Sequence, residues 1–209
     1  MNNIPFSKPE VGADEMYAIS QVMKSGHLTT GPLTKEFEEK FAKYVGAKYA
    51  VFLNSCTSAL KLAITWNRMQ IQKTAGPGYR PMVLAPSLTF TATINEIVEA
   101  GCLPMFIDVD EHNLCMMRKH IEDFEKDNDL IILPVHLGAN ESDAVGKRVI
   151  YDSAHLIRKD CHRKGSISCY SFYPTKNMTT GEGGMICTDN KKFAEWAVKA
   201  RHHGRGKAI

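Results

Sequence analysis

The stretch Lys48–Met69, KYAVFLNSCTSALKLAITWNRM, changes character at its middle. Its first part, KYAVFLN (48–54), is a short apolar run rich in β-formers, which predicts a buried strand. Its second, SCTSALKLAITWNRM (55–69), opens on Ser and Thr, the residues that cap free helix N–H groups, and continues with helical spacing of apolar positions. A strand feeding directly into a helix is the first half of a βαβ unit. The alternation continues downstream: RPMVLAPS (80–87) reads as a strand, FTATINEIVEAG (90–101) as a helix, and LPMFIDVD (103–110), DLIILPVH (129–136) and RVIYDS (148–153) as three more strands. Strand and helix in this order predict an α/β domain with a mostly parallel sheet flanked by helices. SISCYSFY (166–173) and GGMICTD (183–189) are strand-like and close together, so a hairpin or edge pairing is expected around the loop between them, before a last helix in NKKFAEWAVKARHHG (190–204).

Upstream of Lys48 the pattern is helical only. ADEMYAISQVMKSG (13–26) places Met16, Ile19, Val22 and Met23 at helical spacing, with acids at its start and Gly26 past its end. LTKEFEEKFAKYVG (33–46) repeats the pattern with Phe37, Phe41, Tyr44 and Val45, and Gly46 closes it. The organisation expected is one domain over 1–209, a helical segment over 1–46 leading into an α/β core over 47–209.

At 209 residues and 44% hydrophobic, the chain can bury a sizeable core. The 26 basic and 23 acidic residues are interspersed, so there is no tract to follow a nucleic-acid backbone or an anionic membrane. A nucleic-acid role would rest on RHHGRGK (201–207) alone. Six cysteines lack any zinc-type spacing, which predicts buried thiols in a reducing compartment and no metal site. No signal-peptide layout or membrane-length apolar run is present, and the expected location is the cytoplasm.

Four stretches sit at the ends of predicted strands, where open α/β sheets gather ligands: NSCTSAL, APSLTFTAT, YDSAH and SFYPTKN. Singly, each is ordinary. Lys176 alone is a loop lysine, Asp152 a turn aspartate, Thr57 and Ser58 helix caps, Phe90 core, and His155 a structural histidine. Together they supply what pyridoxal phosphate needs: an amine, a carboxylate for the pyridine nitrogen, phosphate donors and an aromatic face. A partly desolvated Lys176 would be nucleophilic near neutral pH and could carry a proton between two substrate carbons. An ionised Asp152 would keep the pyridine nitrogen protonated. The phosphate would sit at the helix N-terminus near Ser55, with hydroxyls of Thr57 or Ser58 and of Ser171 as added donors.

TTGPLTKEFEEKFAKYVGAKYAVFLNSCTSALKLAI, APSLTFTATINEIVEAGCLPMFIDVD, YDSAHLI and GSISCYSFYPTKNMTTGEGGMICTD resemble, in order, the DegT/DnrJ/EryC1/StrS sugar aminotransferases, which are fold-type I pyridoxal-phosphate enzymes. The resemblance runs from about Ile4 to Gly204. It implies that Lys176 is the Schiff-base lysine, Asp152 the pyridinium partner and His155 the neighbour of the ring hydroxyl. It further implies that Phe90 is the ring-stacking aromatic and that Thr57, Ser58 and Ser171 belong to the phosphate segments. Thr29 and Thr30, in HLTTGP, would approach cofactor or substrate, with a plain inter-helix turn as the other reading. The activity implied is amino transfer, usually from glutamate, to a keto group of a nucleotide-linked sugar in deoxysugar or polysaccharide biosynthesis, by a homodimer. Dehydratases of the same family carry histidine in place of the lysine, and Lys176 argues against that branch.

Three departures from the family pattern bear on this. Cys56 stands where the family usually has glycine, a substitution expected to narrow the approach to the phosphate. Residues 139–148 are too few for the usual crossover helix. The family's members also continue past the equivalent of Ile209 into a small C-terminal domain. The alternative expectation is therefore a shortened relative that keeps the fold without turnover, as a binding or assembly protein.

Overall fold

A computed structural model describes residues 4–5, 7–124 and 127–205. Seven strands form the centre: β1 (Tyr49–Leu53), β2 (Met82–Pro86), β3 (Leu103–Ile107), β4 (Leu130–Ile132), β5 (Ile150–Asp152), β6 (Ile167–Ser171) and β7 (Gly184–Thr188). One sheet has the order β1-β7-β6-β5 and the other β3-β2-β4. Parallel bridges Ile132–Val149 and Val135–Asp152 join them, so the order β3-β2-β4-β5-β6-β7-β1 runs across the molecule. All pairings are parallel except those of β7, which is antiparallel to both β6 and β1.

The hairpin expected between 166–173 and 183–189 is present, but β7 lies inside the sheet and β1 forms its edge. The reason is visible in β7 itself: every residue of Gly-Met-Ile-Cys-Thr is buried, so both faces are covered and both edges paired.

Five helices surround the sheet: α1 (Ala13–Ser25), α2 (Pro32–Val45), α3 (Cys56–Ala75), α4 (Thr91–Glu99) and α5 (Lys191–Arg201). α3 starts at the expected cap, where the Ser55 side chain accepts from the Ser58 N–H, and packs Ala59, Leu60, Ala63 and Ile64 into the main core with Val83, Ile131, Cys169 and Ile186. On the opposite face α2 places Phe41 and Val45 against Tyr170, Phe172 and Met185, with the Phe41 and Phe172 rings edge to face at 5.2 Å. α1 forms where its periodicity predicts, but it buries no residue; Met16, Ile19 and Met23 are all more than half exposed.

Residues 139–148 contain no helix. This short crossover is nevertheless anchored: the Ser142 hydroxyl donates to the Met116 carbonyl, and the Tyr151 hydroxyl donates to the Ala144 carbonyl at 2.5 Å. No helix among the described residues is long and apolar enough to cross a membrane.

Candidate active site

β5 ends at Asp152, β6 at Ser171, and α3 and α4 both begin at the same end of the sheet. These ends enclose a cavity of about 470 Å³ lined by Cys56, Thr57, Phe90, His155 and Lys176 together with Asp152 and Ser171. Six of the expected site residues are thus brought to one place, and Cys56 lies beside them.

The corner nearest α3 depends on a glycine. In the sheet register Leu53, Gly184 and Ser171 lie side by side, so the start of β7 separates the end of β1 from the end of β6. A Cβ on Gly184 would stand 2.2 Å from the carbonyl carbon of Ser55 and 2.5 Å from the Cys56 nitrogen. Only hydrogen fits there, and the first turn of α3 can settle against β7. The Cys56 and Thr57 N–H groups lie in that first turn, ahead of any intrahelical acceptor, at the positive end of a 20-residue helix. With the buried Ser171 hydroxyl this makes a cradle for an anion.

Asp152 is 5% exposed. Its Oδ1 accepts from the Ala154 N–H at 3.1 Å and its Oδ2 from the Thr93 hydroxyl at 2.9 Å; the Cys56 thiol is 4.0 Å from Oδ1. Burial pushes its carboxyl pKa up, opposed by the Thr93 and Ala154 hydrogen bonds and by the charges of His155 and Lys176. Cys56 thus turns its thiol towards Asp152, and burial with that carboxylate beside it pushes the thiol pKa well up, so it is a neutral group.

Lys176 is half-buried in a loop that Phe172 pins at both ends: the Phe172 carbonyl accepts from the Thr180 N–H at 3.1 Å, and the Phe172 N–H donates to Gly183 at 2.9 Å. Burial lowers the Lys176 ammonium pKa against the opposing pull of Asp152 and Cys56. Burial likewise lowers that of His155, helped by Lys176 and opposed by Asp152. Phe90, the N-cap of α4, leaves its ring 74% exposed on the cavity wall.

Thr29, Thr30 and Ser58 are placed elsewhere, in a neighbouring cleft of about 720 Å³ shared with Lys61, Arg201 and His202. The Ser58 hydroxyl donates to Asn54 Oδ1 at 2.7 Å and its N–H to the capping Ser55 Oγ, so these bonds rather than the anion cradle occupy it. Thr30 Oγ1 meets His202 Nε2 at 3.2 Å. Glu182, which carried no expected role, lines both spaces. Of the basic tail, Gly206 and Lys207 lie outside the described residues.

Two groups were not expected from the sequence, Thr93 behind the cavity on Asp152 and His136 on its wall. Thr93 follows Phe90 by three residues, a helical spacing that would have flagged it. His136, at the end of PVH, is 2% exposed and stacks on Tyr151 at 5.0 Å; its Nδ1 accepts from the Ser142 N–H at 3.1 Å, which fixes the proton on Nε2.

An amine of lowered pKa, a buried carboxylate held by donors and an anion cradle at a helix start match, group for group, the aldehyde, ring nitrogen and phosphate of pyridoxal phosphate, so the residues fit that cofactor. Sheet order and cavity together define the large domain of fold-type I aminotransferases. The model of the DegT/DnrJ/EryC1/StrS aminotransferase family matches residues 9–208, and the chain belongs to that family. It is 36% identical over 219 residues to the spore coat polysaccharide biosynthesis protein SpsC of Bacillus subtilis (strain 168), covering 98% of this chain and 54% of the relative. Among solved structures, the putative sugar aminotransferase Spr1654 from Streptococcus pneumoniae in its PLP-form is 26% identical with a TM-score of 0.74, over 96% of this chain and 57% of that one. Helicobacter pylori PseC, 24% identical, shares the fold at a TM-score of 0.81, over 98% and 57%. The chain spans about half the length of the relatives it matches.

Proposed function

We propose that this chain forms the cofactor-binding part of a pyridoxal-phosphate-dependent sugar aminotransferase that moves an amino group, from glutamate, to a keto group of a nucleotide-linked sugar. The observation that carries the reading is the meeting of Lys176, Asp152 and the first turn of α3 on one cavity. Bound there, the cofactor supplies an electron sink and a carrier for the amino group.

The chain's own residues supply the rest. Lys176 Nζ, its pKa lowered by burial, would be the amine that holds the cofactor and the base that would carry a proton to and from substrate carbon. Asp152, held by Thr93 and Ala154, would offer its negative charge to the ring nitrogen. The Cys56 and Thr57 N–H groups and the Ser171 hydroxyl would hold the phosphate, and His155 and Phe90, on the same cavity, would serve the ring hydroxyl and a ring face. The SpsC likeness supports a role in polysaccharide biosynthesis, and the location in this reading is the cytoplasm. A second copy of the chain is the partner in this reading, supported by the uncovered apolar stripe of α1.

The test is the visible absorption spectrum of the purified chain with added pyridoxal phosphate, beside Lys176→Ala. A stoichiometric band absent from the variant is expected. Identical free-cofactor spectra from two folded proteins would replace this reading with that of a relative that keeps the fold without turnover.

A further inference from the structure

We propose that Thr93, with Thr89 behind it, is a positioning residue for Asp152, holding one carboxylate oxygen so that the charge stays available to the cofactor's ring nitrogen. The inference rests on the cofactor reading above.

An ionised carboxylate only accepts hydrogen bonds, and Asp152 has almost no access to water. Oδ1 has the Ala154 N–H and the Cys56 thiol; for Oδ2 the structure gives the Thr93 hydroxyl. That hydroxyl has one proton. Since it goes to Asp152, the 2.8 Å contact between Thr93 and Thr89 has Thr89 as donor, and the two threonines form a directed chain ending on the carboxylate. Thr93 is fully buried in the first turn of α4, so water cannot replace it. The same turn begins at Phe90, and one helix start therefore delivers both the aromatic wall and the carboxylate's anchor.

The other ionisable groups facing Asp152 are Cys56 on α3, Cys169 on β6, His155 and Lys176. Both thiols are neutral, because burial raises them further, and neither can replace a short O–H donor. Without Thr93 the buried Oδ2 loses its partner, and the carboxyl is pushed towards its protonated form, which has no charge to offer a pyridinium.

The experiment is a titration of pyridoxal phosphate into the wild-type chain, Thr93→Val, Thr93→Ser, Asp152→Asn and the Thr93→Val/Asp152→Asn double variant, with cofactor-free melting curves alongside. Thr93→Val keeps the shape and should weaken cofactor binding about tenfold or more, the worth of a hydrogen bond to a charged group. Thr93→Ser should restore it, and the double variant should bind no more weakly than Asp152→Asn. Wild-type affinity in Thr93→Val, or losses that simply multiply in the double variant, would overturn the inference while leaving the cofactor reading intact. Should Thr93→Val not fold, Thr89→Val, which keeps Thr93 but removes its donor, decides instead: a several-fold loss supports the chain of threonines, and none refutes it. A wild-type chain that binds no pyridoxal phosphate would sink the cofactor reading and this inference with it.

Discussion

Gly184 is the position where one methyl group would do the most damage. The three atoms it would strike, in Ser55 and Cys56, are all backbone, so relief requires α3 to back away from β7. Gly184→Ala should cost about 3 kcal/mol or more, as overpacking against fixed structure does, and urea unfolding would measure it; unchanged stability would mean that the α3 turn has slack. His136 has a different cost, in acid. Burial, with Arg163 nearby, lowers its pKa from 6.5 to about 4, so the folded chain keeps it neutral while the unfolded chain protonates it first. Its contribution to stability is whole above pH 6.5 and drains away as pH falls towards 4, about 3 kcal/mol in all. His136→Gln should show a shallower loss of stability across that window in chemical denaturation; an identical slope would refute this. That Lys176, Asp152, Thr57, Ser171, Phe90 and His155 line one cavity was legible in the sequence, because each lies at or just beyond a strand end or helix start that local pattern marks. The partners of Asp152 were not: Thr93 and Cys56 are 59 and 96 residues away from it, and only the folded sheet sets them against one carboxylate.

Helices and strands were read correctly where periodicity is strong, and misplaced where pairing decides. α3 runs on to Ala75, six residues beyond the Met69 at which the quoted helix stops, because its cap at Ser55 is local while its end is set by Gly76. For β7 a hairpin or edge pairing was expected, and the hairpin with β6 is present; only its interior position, which depends on β1, had no local signal. α5 has the plainest element-level signal: Asn190 Oδ1 accepts from the Phe193 N–H at 3.1 Å. Asn190→Ala should cost about 1 kcal/mol in an unfolding titration, and an unchanged midpoint would show the cap to be replaced by water. α1 presents the opposite case, a well-formed amphipathic helix that buries no residue among the described residues. If a second copy covers it, Ile19→Glu with Met23→Glu should shift the assembly to monomers in sedimentation experiments; an unchanged sedimentation coefficient would assign the stripe to another partner.

For the whole molecule, the sheet gathers its chemistry at one end, and the route of the chain through the sheet determines when that end can exist. Among the described residues β1 pairs with no strand but β7, so Tyr49 waits for Thr188 and Leu53 for Gly184. During translation the ribosome releases β1, α3 and the strands β2, β3 and β4 long before β7 has been made, and the strand Tyr-Ala-Val-Phe-Leu emerges without a neighbour on either edge. Loop closure on that span makes the final step slow and leaves a sticky strand exposed meanwhile. Nascent chains arrested before Gly184 should therefore be cut readily by protease within 49–53 and held by chaperones. The α3 turn, deprived of Gly184 beneath it, would not yet offer a phosphate its place, so cofactor capture is an event that follows synthesis of nearly all of the described chain.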